Sequence, residues 1–303
     1  MPSHCRWILT GASGWFGRTA LWEYEQRNGP EALRRDVCAF ASTSKEIDFG
    51  SPHGPVKAMS LESLNDIDNA KGLIHLAFLT RDRIAEFGVD RYVAQNRTIT
   101  SLVADCINRH PGIPIITTSS GVAKGFDATI ADLSDNPYAA LKQEEEELWR
   151  SYGNHQFAAV FRVYAAAGRF IKDPRVFALS DFLSRALSGE RIEIYSKRSV
   201  VRSYVHVGTM MRLFWAILDS PPKQSFCQVD AVLETVSLTE LANIISQAWD
   251  LPEPLFDIDL SLPADDYTAD SFLFLELLRR YRLAVPDFML QLSETASYLA
   301  RLS

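Results

Sequence analysis

Short apolar runs alternate along the first half of the chain with longer stretches whose apolar positions recur every three or four residues. Trp7 to Leu9 is the first short run; Gly72 to Phe78 (GLIHLAF) and Pro114 to Gly121 (PIITTSSG) repeat the type, each ending in small or hydroxyl-bearing residues or close to them. A strand buried on both faces reads this way, because it has no solvated side to make it alternate. Leu21, Trp22 and Tyr24 mark an intervening helix, and Arg91 to His110 carries helical periodicity. This alternation predicts an α/β fold, a doubly wound parallel sheet with ligands at the carboxyl ends of its strands.

After Gly168 the pattern loses regularity. Arg175 to Tyr195 predicts a helix closed by Gly189 and then a short strand, while Pro221–Pro222 and Leu251 to Tyr267 (LPEPLFDIDLSLPADDY) read as loops. The expected division is a dinucleotide-binding domain over 1–168 and a smaller α+β, substrate-binding lobe over 169–303, with segments returning to the first domain.

The turn after the first strand changes the picture from fold to chemistry. It reads TGASGWFG, with Gly11, Gly14 and Gly17 at fixed spacing before a helix. Such glycines allow a tight turn, close backbone approach to a pyrophosphate and close packing of helix on strand. The helix N-terminus then offers free N–H groups and partial positive charge to the phosphates. Gly11, Ser13, Gly14, Trp15, Phe16 and Gly17 are therefore expected to bind a dinucleotide cofactor. The second strand (DVCAFASTSK) ends without the carboxylate that usually reads the ribose 2′-hydroxyl of NAD. Ala41 stands there, followed by Ser42, Thr43, Ser44 and Lys45, a set that suits a 2′-phosphate and favours NADP over NAD unless the loop is a bystander.

Farther on, DNPYAALK places Tyr138 and Lys142 four residues apart, just inside a helix that Asp135 or Asn136 would cap and Pro137 would open. Chance supplies such a spacing easily, so the pair alone decides nothing. Its position after a strand ending in Ser119 and Ser120 does. An ammonium beside a phenol favours the phenolate, so Tyr138 is the expected acid/base, Lys142 its partner and ribose contact, and Ser120 a hydrogen-bond donor to the reacting oxygen.

These motifs in this order resemble the extended short-chain dehydrogenase/reductase family, and within it the NAD(P)-dependent nucleotide-sugar epimerase/dehydratase branch. TGASGWFG is similar to the family's TGxxGxxG, HLAF (75–78) to its HxAA-like strand, PYAALK to YxxxK, FRVYAAAGRF to RxxNxxG, and RSYVHV to RDxxHV. The resemblance implies a Rossmann-type domain, adds Leu76, Ala77 and Asn96 to the cofactor contacts, and makes Ser120 catalytic. Arg202 is implied to hold a substrate diphosphate, which its bidentate geometry suits; Arg175 and Arg198 are weaker candidates, and His206 reads as structural. Members often pair through two helices beside the active site, so a homodimer is implied too. The chain departs from the pattern at Ala165, Ser203 and Lys124, which stand for asparagine, aspartate and tyrosine, and it lacks the TDE signature of sugar 4,6-dehydratases. What remains is epimerisation or ketone reduction on a nucleotide-activated sugar. The alternatives are reduction of a small non-nucleotide carbonyl compound and, third, a non-catalytic cofactor-binding protein.

Bulk properties trim the options. A net charge of −7 argues against nucleic acid or an anionic membrane as partner. The four cysteines lack metal or disulfide spacing, so no metal is expected and they should fill apolar space in reduced form. The run Glu144 to Glu147 reads as a solvated helix face. The glycine turn at Gly11 leaves no room for a signal peptide, and the expectation is a soluble, cytoplasmic protein.

Overall fold

The computed structural model describes residues 5–126, 133–154, 156–171 and 173–302. β1 (Trp7–Thr10) enters the glycine turn and α1 (Trp15–Asn28) leaves it; α2 (Pro30–Asp36) and β2 (Val37–Ala41) follow. Next come β3 (Lys45–Ile47), β4 (Val56–Ser60), β5 (Gly72–His75), α3 (Ile84–Phe87) and α4 (Val89–Arg109). The chain continues through β6 (Ile115–Ser120), α5 (Gly121–Lys124), α6 (Pro137–Tyr152) and β7 (Ala158–Val163). Its second half holds β8 (Ala165–Ala167), α7 (Ala178–Leu187), β9 (Glu193–Ile194), β10 (Val200–His206), α8 (Val207–Asp219) and β11 (Phe226–Ala231). β12 (Glu234–Ser237), α9 (Leu238–Ala248), β13 (Leu255–Phe256), β14 (Asp265–Tyr267), α10 (Phe272–Arg280) and α11 (Phe288–Leu299) complete it.

The chain divides into two compact units, Met1–Arg162 with Met211–Val229, and Val163–Met210 with Asp230–Ser303. The first is built on an eight-stranded sheet of order β11-β7-β6-β5-β1-β2-β4-β3. Its central strands pair in parallel, β6 to β5, β5 to β1, β1 to β2 and β2 to β4, and β3 closes one edge antiparallel. This is the doubly wound Rossmann-type sheet that the alternating pattern predicts. β1 and β5 are buried at every position, as their unbroken apolar runs require. Ile8, Phe40, Leu73, Ile115, Val160 and Trp149 share one core, each such side chain contributing about 1.5–3 kcal/mol by leaving water. Cys5, Cys38 and Cys106 sit in that core as free thiols.

A segment of the second half belongs to this unit. Trp215 of α8 packs edge-on against Tyr24 of α1 at 4.7 Å and donates its indole N–H to the Ala20 carbonyl at 2.9 Å. The second unit is organised around β10, which pairs antiparallel with β12 and parallel with β14 and β8. The stretch read as loop over 251–267 contains two short strands, β13 and β14, because β9 and β10 offer it edges to pair with. No helix among the described residues is long and apolar enough to cross a membrane.

Candidate active site

The glycine turn is shaped by contacts that exclude side chains. Gly11 has φ +71°, and a Cβ there would overlap the Leu76 backbone; a Cβ on Gly17 would overlap the Gly11 carbonyl. The second conflict is what lets α1 start close under β1. Gly14 sits at the N-cap of α1 with no side-chain cap, so the first N–H groups of a 14-residue helix stay available. This cradle fits a dinucleotide pyrophosphate. Ser42 and Thr43 are exposed at the carboxyl end of β2.

The strand expected over 72–78 ends at His75. Leu76 and Ala77 turn across Gly11, and their N–H groups lie 3.3 and 3.4 Å from Thr10 Oγ1. Asn96 of α4 holds the next piece: its Oδ1 accepts from Leu79 N–H at 2.8 Å, and its amide donates to the Leu79 and Tyr92 carbonyls. Buried at 1% exposure, Asn96 orders the segment that crosses the glycine turn.

α6 begins as its sequence dictates, with the Asn136 side chain accepting from Ala139 N–H at 3.2 Å and Pro137 in the first turn. Tyr138 is half-buried and Lys142 is buried one turn later. Phe78 touches both. Its ring meets that of Tyr138 edge-on at 5.8 Å, and Lys142 Nζ stands 3.6 Å from its centroid. Lys142 also donates to the Thr118 carbonyl at 3.1 Å, which ties α6 to the strand ending in buried Ser120. The structure therefore brings the β6 end, the Tyr138–Lys142 pair and the segment leaving β5 together.

The expectation that Glu144 to Glu147 form a solvated face is wrong for two of the four. Glu145 and Glu146 are each only 4% exposed. Three and four residues beyond Lys142 on a helix, they fall on its buried side rather than with Glu144. Glu146 takes a two-pronged contact from Arg162 of β7 at 2.8 and 2.6 Å. Glu145 accepts from Lys142 Nζ at 2.8 Å, lies 3.3 Å from His75 Nε2 and accepts from Thr100 Oγ1 at 3.0 Å. Burial pushes its carboxyl up, but the Lys142 ammonium and the His75 hydrogen bond prevail and hold it at about 2. Sequence reasoning missed both Glu145 and His75, though helical spacing from Lys142 would have flagged the first.

In the second unit Arg202 lies on β10 and is already engaged. Its guanidinium meets Asp265 of β14 through both carboxylate oxygens at 3.2 and 2.7 Å and donates to two backbone carbonyls. Arg175 and Arg198 are exposed. His206 is buried, with Nδ1 3.0 Å from Thr209 Oγ1 and Nε2 3.2 Å from Glu294, which fits the structural part read for it. No cluster of possible metal ligands occurs among the described residues.

A glycine turn at a helix N-terminus and a Tyr–Lys helix on one parallel sheet are the features of the extended short-chain dehydrogenases/reductases. The chain belongs to the NAD dependent epimerase/dehydratase family, whose model matches residues 7–226. Solved structures with the same fold include MoeE5 in complex with UDP-glucuronic acid and NAD, 19% identical, with a TM-score of 0.72 over 98% of this chain and 100% of that one. The UDP-N-acetylglucosamine 4-epimerase of Methanobrevibacter ruminantium, in complex with UDP-N-acetylmuramic acid, is 20% identical over 98% and 99%, with a TM-score of 0.70. The UDP-glucose 4-epimerase of Thermotoga maritima is 16% identical over 98% and 99%, with a TM-score of 0.68. No curated protein matches the sequence.

Proposed function

We propose that this chain is an NAD(P)-dependent oxidoreductase or epimerase of a nucleotide-activated ketosugar, with Tyr138 as its acid/base. The observation that carries the reading is Lys142, a buried ammonium fixed between the β6 end and Phe78, one helical turn from Tyr138. The bound nicotinamide supplies hydride acceptance and donation. The protein's own part is to hold and to move a proton. Gly11, Gly14 and Gly17 admit the pyrophosphate, Ser120 donates a hydrogen bond to the reacting oxygen, and Tyr138 Oη takes or returns that oxygen's proton. The sugar nucleotides bound to structural neighbours support the substrate class, which the second unit would bind, with Arg202 on its diphosphate.

The loop Ser42 to Lys45, free of carboxylates, supports NADP(H) as the tighter cofactor. Free thiols fit work in a reducing compartment, the cytoplasm. One observation favours a second reading, reduction of a small non-nucleotide carbonyl compound: the Arg202 guanidinium has a carboxylate partner already. Incubating the purified protein with each cofactor and either sugar nucleotides or small ketones, and following absorbance and products, separates the two. Turnover of sugar nucleotides alone supports the first reading and turnover of ketones alone the second. Calorimetric titration tests the cofactor, where tighter NAD(H) binding would refute the preference.

A further inference from the structure

Lys142 has three protons and three partners: the Thr118 carbonyl at 3.1 Å, Glu145 Oε2 at 2.8 Å, and the face of Phe78. Glu145 is held in turn, since its Oε1 meets Thr100 Oγ1 and His75 Nε2. Thr10 fixes the histidine. Its Oγ1 lies 2.8 Å from His75 Nδ1 and accepts the longer contacts from the Leu76 and Ala77 N–H groups, which leaves Nε2, 3.3 Å from Glu145 Oε1, to face the carboxylate. Lys142, Glu145 and His75 are 5%, 4% and 2% exposed, so water does not screen these contacts.

We propose that Glu145 is the positioning residue of the Tyr138–Lys142 pair, the link in a buried chain Thr10–His75–Glu145–Lys142 that joins the head of the glycine turn to the lysine. The proposal rests on the reading of Lys142 given above. Glu145 acts through Lys142, setting where the ammonium sits and pairing its charge. A buried ammonium stripped of its counter-ion sheds its proton at lower pH. The charged and titratable groups around the pair leave Glu145 this task. Arg162 of β7 takes Glu146, and Arg97 of α4 takes Glu144. His75 of β5 faces Glu145, Tyr138 lies on the same helix, and the phenol of Tyr92 on α4 is pushed up by burial.

The test titrates wild type, Glu145→Gln, Lys142→Met and the double variant with NAD(H) and NADP(H) by calorimetry from pH 6 to 9, and measures melting temperatures without cofactor. Wild type supplies the reference affinity at each pH. Glu145→Gln should bind at least tenfold more weakly than wild type, and the gap should widen as pH rises, because a buried ammonium without its counter-ion is less favoured. The double variant should bind no worse than Lys142→Met and melt above it, since the unpaired carboxylate is gone. Affinity for Glu145→Gln within twofold of wild type at every pH overturns the proposal, as does a loss independent of pH, which would assign Glu145 to packing. Should Glu145→Gln fail to fold, a folded double variant supports the proposal and an unfolded one overturns it. A wild type that binds neither dinucleotide removes the underlying reading itself, an outcome distinct from any of these.

Discussion

Two cations expected to hold ligands are each gripped by a carboxylate, at nearly equal distances and in opposite surroundings. Lys142 meets Glu145 at 2.8 Å with side chains 7% and 5% exposed; Arg202 meets Asp265 at 2.7 Å with side chains 25% and 51% exposed. Distance does not distinguish the pairs. Burial does. Removing one partner of a buried pair leaves a charge with no water to replace it, whereas an exposed pair contributes little and opens readily to a competing anion. The first is a fixture of the fold, and the second is a latch on its surface.

The largest effect should come from the residue beside the buried pair. Tyr138→Phe removes one oxygen and should lower turnover by about 10²–10⁴-fold, with the melting temperature unchanged. Steady-state kinetics with circular dichroism checks this, and near wild-type turnover would reduce the pair to structure. Lys142→Ala should cost about 3–5 kcal/mol of stability in denaturant unfolding, because it strands Glu145 in the interior. A cost below that of an exposed pair would erase the contrast.

Acid should separate the pairs next. The folded Glu145 carboxyl is held at about 2 against an ordinary 4.5, so its stabilisation is present above the unfolded value and lost as pH falls towards 2. Glu145→Gln should flatten this part of the stability–pH curve. Arg202 likewise holds Asp265 below the usual carboxylate range, but largely in solvent. Asp265→Asn should therefore change stability by no more than about 1 kcal/mol. It should lower KM for a diphosphate-bearing substrate severalfold; an unchanged KM favours the small-carbonyl reading.

Much of this was legible in the sequence. Apolar runs announced β1, β5 and the start of β6, and the glycine spacing announced the tight turn between β1 and α1, because turn and burial requirements act on neighbours in the chain. Tyr138 and Lys142 were visible for the same reason. What sets their environment was not. Glu145 hid in a run of four glutamates, and its partners His75 and Thr100 lie 70 and 45 residues away. Composition suggests solvent there, and only the packing of α6 on β5 and α4 reveals otherwise. Arg202 was legible as a cation, while Asp265, 63 residues on, came with the pairing of β14 to β10.

The return of Met211–Val229 to the first unit has a consequence for how the chain is made. The seat prepared for Trp215 by Ala20 and Tyr24 stays empty on a nascent chain that has emerged only through β7. At about 5–20 residues per second, the ribosome leaves that seat open for roughly 3–13 s before the residues up to 229 arrive. During that interval the apolar flank of α1 is exposed to chaperones and to other nascent chains, and no single cut of the gene can free the first unit as a self-sufficient piece.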